Sequence, residues 1–87
     1  MGYPGSINEV HYGAINTTLT APTGKSFKKF IVSVAGTYGV TSPMLYVNGT
    51  LDNNGYDMVL VAGQEVEGEF TAIGVPNTAG ANVVAYI

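Results

Sequence analysis

The stretch GQEVEGEFTAIGV, Gly63–Val75, decides how the chain folds. Glu65, Glu67 and Glu69 occupy alternate positions, with Val66, Gly68 and Phe70 between and after them. Successive side chains of a strand point to opposite faces, so this pattern predicts a strand. Its three carboxylates share one face, about 6.6 Å apart along the chain, and its apolar residues share the other. Continued to Val75, it predicts one long strand, Glu65–Val75, with Gly68 and Gly74 as bulges or bends. A helix would place apolar residues at i, i+3, i+4 and i+7. No window of the chain does so, and Gly or Pro interrupts most candidates.

Working outward, strand patterns recur. Ile7–Tyr12 and Ile15–Thr20 flank Gly13, which predicts a bend or hairpin there. Phe27–Val34 (FKKFIVSV) sends Phe30, Val32 and Val34 to one face and Lys29, Ile31 and Ser33 to the other. Met58–Gly63 is an apolar, buried-type strand, and Asn82–Ile87 closes the sequence as another. Ala21–Gly24 and Pro76–Ala81 are turns, and Ala35–Pro43 (AGTYGVTSP) is a glycine-rich loop. Met44–Leu51 (MLYVNGTL) is either a tight hairpin about Asn48-Gly49 or one longer strand; the longer strand is preferred because its length is the common one. Asp52–Asp57 (DNNGYD) is a further turn. Seven or eight short strands at this spacing predict an all-β fold: a compact antiparallel sandwich or barrel, jelly-roll-like, with no substantial helix. One domain is expected over residues 1–87, with 1–6 as a flexible or partner-docking arm. Within MGYPGSINE, Gly2, Pro4 and Gly5 keep that arm from ordering alone.

Charge is the scarcest component. Only 10% of the 87 residues are charged, against about 25% in an average soluble domain. Gly, Thr, Asn, Ser and Tyr take its place, which suits a chain covered by an assembly or presenting an uncharged polar surface. Three lysines, no arginine and a net charge of −3 exclude a phosphate-binding patch, so no nucleic-acid partner is expected. With no cysteine there is no disulfide, thiolate zinc site or cysteine nucleophile, and one histidine cannot build a histidine-rich metal site. The uncharged stretches Phe30–Leu51 and Phe70–Ile87 are broken by Gly, Pro, Asn or Ser and do not read as membrane spans. MGYPGSINEV lacks the basic start and apolar run of a signal peptide, so cytoplasmic synthesis is expected. Gly2 and Ser6 fit the myristoylation spacing, but Tyr3 and Pro4 make a poor example of it.

Each candidate motif has a plainer alternative. Thr23–Ser26 (TGKS) resembles the end of a phosphate loop, but position 19 is Leu where a Gly is needed, and a strand follows; a polar turn is expected. Asp52 and Asp57 bracket oxygen-rich residues, yet without the spacing of a calcium loop. Asn16 and Asn48 begin sequons. His11 lies two residues from Glu9 on one strand face, a possible acid–base pair with no third partner in view. Glu65, Glu67 and Glu69 have a spacing that glycoside hydrolysis tolerates, but an open strand face offers no shielding pocket. They are expected to be solvated or at a subunit contact, protecting a sheet edge, with Lys28 and Lys29 across the sheet. No enzyme activity, cofactor or bound metal is expected, because no nucleophile, base and orienting group converge. Tyr46 and Tyr86 read as half-buried strand residues. Tyr38 and Tyr56 read as loop residues available for contact, as Tyr is at interfaces. The interface residues expected are Tyr3, Pro4, Ile7, Tyr38 and Tyr56.

The last third, LVAGQEVEGEFTAIGVPNTAGANVVAY (Leu60–Tyr86), resembles the C-terminal part of small accessory proteins of tailed-phage virions. The positions that carry the likeness are Gly63, Gly68, Phe70, Ile73, Val84 (or Val83), Ala85 and Tyr86. The resemblance implies a structural virion protein on the capsid surface. It implies a decoration or cement protein that binds the shell lattice and its own copies, as a homotrimer. Separately, LYVNGTLD (Leu45–Asp52) is similar to a strand-turn piece of laminin-G-like and lectin sandwiches. That keeps a carbohydrate-binding module, using Tyr38, Tyr56 and Asn53 or Asn54, or a tail or baseplate adhesion component, as the alternative.

Overall fold

In a computed structural model the protein is all-β, and residues 9–41, 46–47, 50–51 and 56–87 are described. The strands are β1 (Val10–Gly13), β2 (Thr18–Thr20), β3 (Phe27–Val32), β4 (Gly36–Thr41), β5 (Tyr46–Val47), β6 (Thr50–Leu51), β7 (Tyr56–Leu60), β8 (Glu65–Phe70), β9 (Ala72–Gly74) and β10 (Val83–Tyr86). Eight of them build two four-stranded sheets, ordered β1-β10-β3-β8 and β2-β9-β4-β7; β5 and β6 pair with each other.

That order has a simple origin. β1 pairs with β10, β2 with β9, β3 with β8 and β4 with β7, all antiparallel. The chain is thus one long two-stranded ribbon whose successive pairs alternate between the sheets. β10 then joins β3, and β9 joins β4, which closes each sheet. Wrapping a ribbon in this way makes a jelly roll, the expected fold.

The core lies between the sheets. Phe27, Phe30, Val32, Val83, Ala85 and Phe70 come from the first sheet, and Tyr38, Val40, Leu60 and Ile73 from the second. Phe30 and Phe70 meet edge to face with centroids 5.1 Å apart. Phe27 and Phe30 are both buried although three residues apart, an odd spacing that a period of two forbids. A bulge between Phe27 and Lys29 absorbs the extra residue.

Glu65–Val75 is not one strand. Phe70 pairs with Phe27 in the first sheet. The next residue, Thr71, already donates its N–H to Thr41 O (2.8 Å) and accepts at its own carbonyl from Ala21 N–H (2.9 Å), partners at the ends of the second sheet. The chain changes sheets at Phe70–Thr71 because Phe70 and Ile73 must both be buried, and three residues cannot span that demand in one straight strand.

Other boundaries move for local reasons. The segment expected as a loop, Ala35–Pro43, contributes β4, where Tyr38 and Val40 alternate inward. Met44–Leu51 is not a continuous strand: Tyr46 pairs with Leu51 and Val47 with Thr50, across the Asn-Gly dipeptide that two-residue hairpin loops favour. The second strand starts at Thr18 instead of Ile15, because Asn16 has φ 56° and Thr17 Oγ1 donates to Ala14 O (2.6 Å), forming a turn. Of Ile7–Tyr12, residues 7 and 8 lie outside the described residues, and the strand runs Val10–Gly13.

Candidate functional site

The glutamates of β8 sit at a sheet edge and meet the lysines of β3. Lys28 Nζ lies 2.9 Å from Glu69 Oε1 and also donates to Ser26 Oγ (2.9 Å), which in turn donates to Glu69 Oε1 (3.2 Å). Lys29 Nζ lies 3.8 Å from Glu65 Oε1, and Glu67 is its register partner. The Lys28 ammonium beside Glu69 holds that carboxyl below its ordinary value, first by hydrogen bonding and then by charge, with Ser26 assisting. Val66 and Phe70 turn inward from the same strand. The stretch therefore has a charged outer face that pairs with lysines and an inner face that packs.

A second charged group ties the start of β1 to the turn before β3. Glu9 accepts from Lys25 Nζ and lies 3.0 Å from His11 Nε2. Lys25, then His11, hold its carboxyl below the ordinary value. The His11 ring packs edge to face on Phe27, with centroids 5.5 Å apart. This gives the TGKS segment its role: a turn closed by Lys25 N–H to Pro22 O (2.9 Å), with Lys25 engaged by Glu9. Among the described residues no group of three His, Cys, Asp or Glu is placed to hold a metal ion.

Of the expected interface residues, Tyr3, Pro4 and Ile7 lie outside the described residues, as do Asp52, Asn53 and Asn54. Tyr38 is a correction. It is not a loop residue open to contact but a fully buried one in β4, its hydroxyl donating to Val34 O (2.7 Å). Its alternation with Val40 puts the ring in the core, where burial pushes the phenol pKa up. It therefore cannot serve as a glycan-stacking platform. Tyr56 belongs to β7, opposite Val40, and not to a loop.

Among the described residues the large exposed apolar side chains are others than these. Register aligns two rows on the outer face of the first sheet: Val10–Tyr86–Lys29–Glu67 and Tyr12–Val84–Ile31–Glu65. Val10 is 53% exposed and Tyr12 74%. Val84, Tyr86 and Ile31 are half-buried beside them. Lys29 stands 5.0 Å over the Tyr86 ring. The face is thus apolar and aromatic toward β1 and charged toward β8. A period-two reading of Val10–Gly13 could have found it, since His11 and Gly13 turn inward and leave Val10 and Tyr12 outward.

Comparison of the chain with family models, with curated proteins and with solved structures yields no match.

Proposed function

We propose that this protein is a structural assembly component, a capsid decoration or cement protein of a phage head. In this reading it binds the shell lattice, associates with its own copies as a homotrimer, and carries out no catalysis. The observation that carries the proposal is the outer face around β1, where Val10 and Tyr12 stand exposed beside Tyr86, Val84 and Ile31. Exposed apolar and aromatic groups on a chain this poor in charge mark a surface meant to be covered. Among the described residues β1 is also an edge strand of the first sheet, and it is continuous in sequence with the uncharged MGYPGSIN segment. Jelly rolls occur in viral capsid proteins, a likeness at the level of fold alone.

Mechanistically, each copy would bury apolar and uncharged polar area across lattice junctions. Several weak contacts per oligomer would add by multivalency. The test is binding to shells that lack the protein. Deleting residues 1–6 is expected to weaken attachment while the circular dichroism spectrum stays that of the full chain, and Tyr12→Asp is expected to weaken it further. Undiminished binding by both proteins removes the proposal.

A further inference from the structure

β1, β3, β7 and β9 run toward one end of the sandwich, so the connections 14–17, 33–35, 61–64 and 75–82 all gather there. Two apolar features lie at that end, on opposite rims. On the β1/β2 rim a cleft of about 400 Å³ opens between Tyr12–Ile15 and Gly80–Asn82. Among the described residues no charged side chain lines it. Both walls are held in place: Asn16 N–H donates to Pro76 O (3.3 Å), Ser33 Oγ donates to Gly80 O (2.8 Å), and Asn82 N–H donates to Ser33 Oγ (2.8 Å). On the β7/β8 rim, Val59 is 82% exposed and Val61 65%. That turn is fixed too, by Val61 N–H to Gln64 Oε1 (3.0 Å) and Gly63 N–H to Val32 O (2.9 Å).

The two features match in chemistry and in level. One is a rigid apolar knob and the other a rigid, uncharged, mostly apolar recess. Asp57 and Glu65 flank the knob in sequence, and with no acidic group among the described residues that line the cleft the pair avoids like-charge repulsion. The row Tyr12–Val84–Ile31–Glu65 crosses the first sheet from the cleft wall to the residue just after the knob's turn. Knob and cleft therefore lie at similar height on opposite sides. A contact between two different patches is heterologous and forms a filament or a ring, depending on whether its rotation closes. Contact at one level adds little translation along the sandwich axis, which favours closure.

We propose that the Val59–Val61 knob of one copy seats in the Tyr12–Ile15 and Gly80–Asn82 cleft of the next, joining copies head to tail in a closed ring. This specifies the self-association within the assembly role proposed above, yet it is tested without any shell. A stable interface takes about 800 Å² from each partner, and two such patches would cover roughly three-tenths of the 5282 Å² accessible surface. A chain with that much surface covered needs little charge for solubility.

Sedimentation velocity of the full chain reads the result. The unaltered protein is expected to sediment as a closed oligomer of fixed copy number. Ile15→Asp, in the cleft, and Val61→Asp, on the knob, are each expected to give monomers with an unchanged circular dichroism spectrum; Val59→Lys is the second knob variant should either fold poorly. Mixed one to one, the Ile15→Asp and Val61→Asp proteins retain one intact knob and one intact cleft between them, so they should form a two-chain complex and no ring. A monomeric unaltered protein, a variant that keeps the full oligomer, or a mixture that stays monomeric overturns the proposal. An unaltered protein that forms no ring yet still binds the shell would remove this interface and leave the assembly role standing.

Discussion

Phe70 explains why position 68 is glycine. A Cβ on Gly68 would lie 2.9 Å from Phe70 Cζ, closer than real Cβ contacts come. The sequence invites a bulge at this glycine, but what the position requires is room beneath an aromatic ring that is itself packed on Phe30. Gly68→Ala should force the ring off its site and cost about 1–3 kcal/mol, the usual range for overpacking; a urea midpoint equal to that of the parent protein would show that the ring moves freely. Tyr38 makes a complementary case, because its ring is core but its hydroxyl is not idle. Tyr38→Phe keeps the packing and leaves the Val34 carbonyl without that donor. The expected loss is about 0.5–1.5 kcal/mol in chemical denaturation with an unchanged m-value. No surface property should change, since the side chain is fully buried.

At the scale of elements, alternation made the strand class legible, and phase slips hid the connections. Phe27 to Phe30 and Phe70 to Ile73 are the same signal in sequence: two buried residues three apart. In β3 the slip is a bulge within one sheet, and between β8 and β9 it is a passage from one sheet to the other. Local sequence does not separate these outcomes, because the difference lies in which distant strand supplies the next hydrogen bonds. β4 was obscured by Gly36 and Gly39, which left only Tyr38 and Val40 to carry its pattern. The face around Val10 and Tyr12 was legible only from the parity of a four-residue strand, with His11 and Gly13 turned inward, and so short a run is a weak signal. The acidic edge was legible because charge is so rare elsewhere. Glu69 and Glu9 both have depressed pKa values in the folded chain. Their contribution is therefore complete above the ordinary value of 4.5 and disappears as pH falls through the lower folded values. Melting temperature should fall across that acid window, and Glu69→Gln should flatten part of the decline. Salt should shrink the effect, since both groups are partly open to solvent; an identical acid profile in the Gln variant would dissociate Glu69 from it. Replacing Glu65, Glu67 and Glu69 together by Gln removes the charge guarding the β8 edge and should raise edge-driven aggregation, read by light scattering. Scattering equal to the parent would show that the edge is protected by other means.

For the whole molecule, size and topology pull against each other. A chain of 87 residues buries only about 60–65% of its unfolded surface, so its single sandwich core leaves a small margin. No disulfide adds to it, because there is no cysteine. The jelly roll raises the entropic demand, since its ribbon begins by pairing β1 with β10 from near opposite ends of the described chain, and such non-local pairing rewards the chain only late in folding. Covering Tyr12, Ile15, Val59 and Val61 between copies, as proposed above, would add to that margin. Folding and association would then be linked by mass action, and melting temperature would depend on protein concentration. Scanning the parent over about a hundredfold range of concentration should raise its melting temperature by several degrees, given that each kcal/mol is worth roughly 4–8 °C in a domain of this size. Val61→Asp should melt at one temperature throughout, below the parent's at high concentration and equal to it at low. If the parent melts at one temperature across the whole range, its core alone carries the fold and the exposed valines contribute nothing to it.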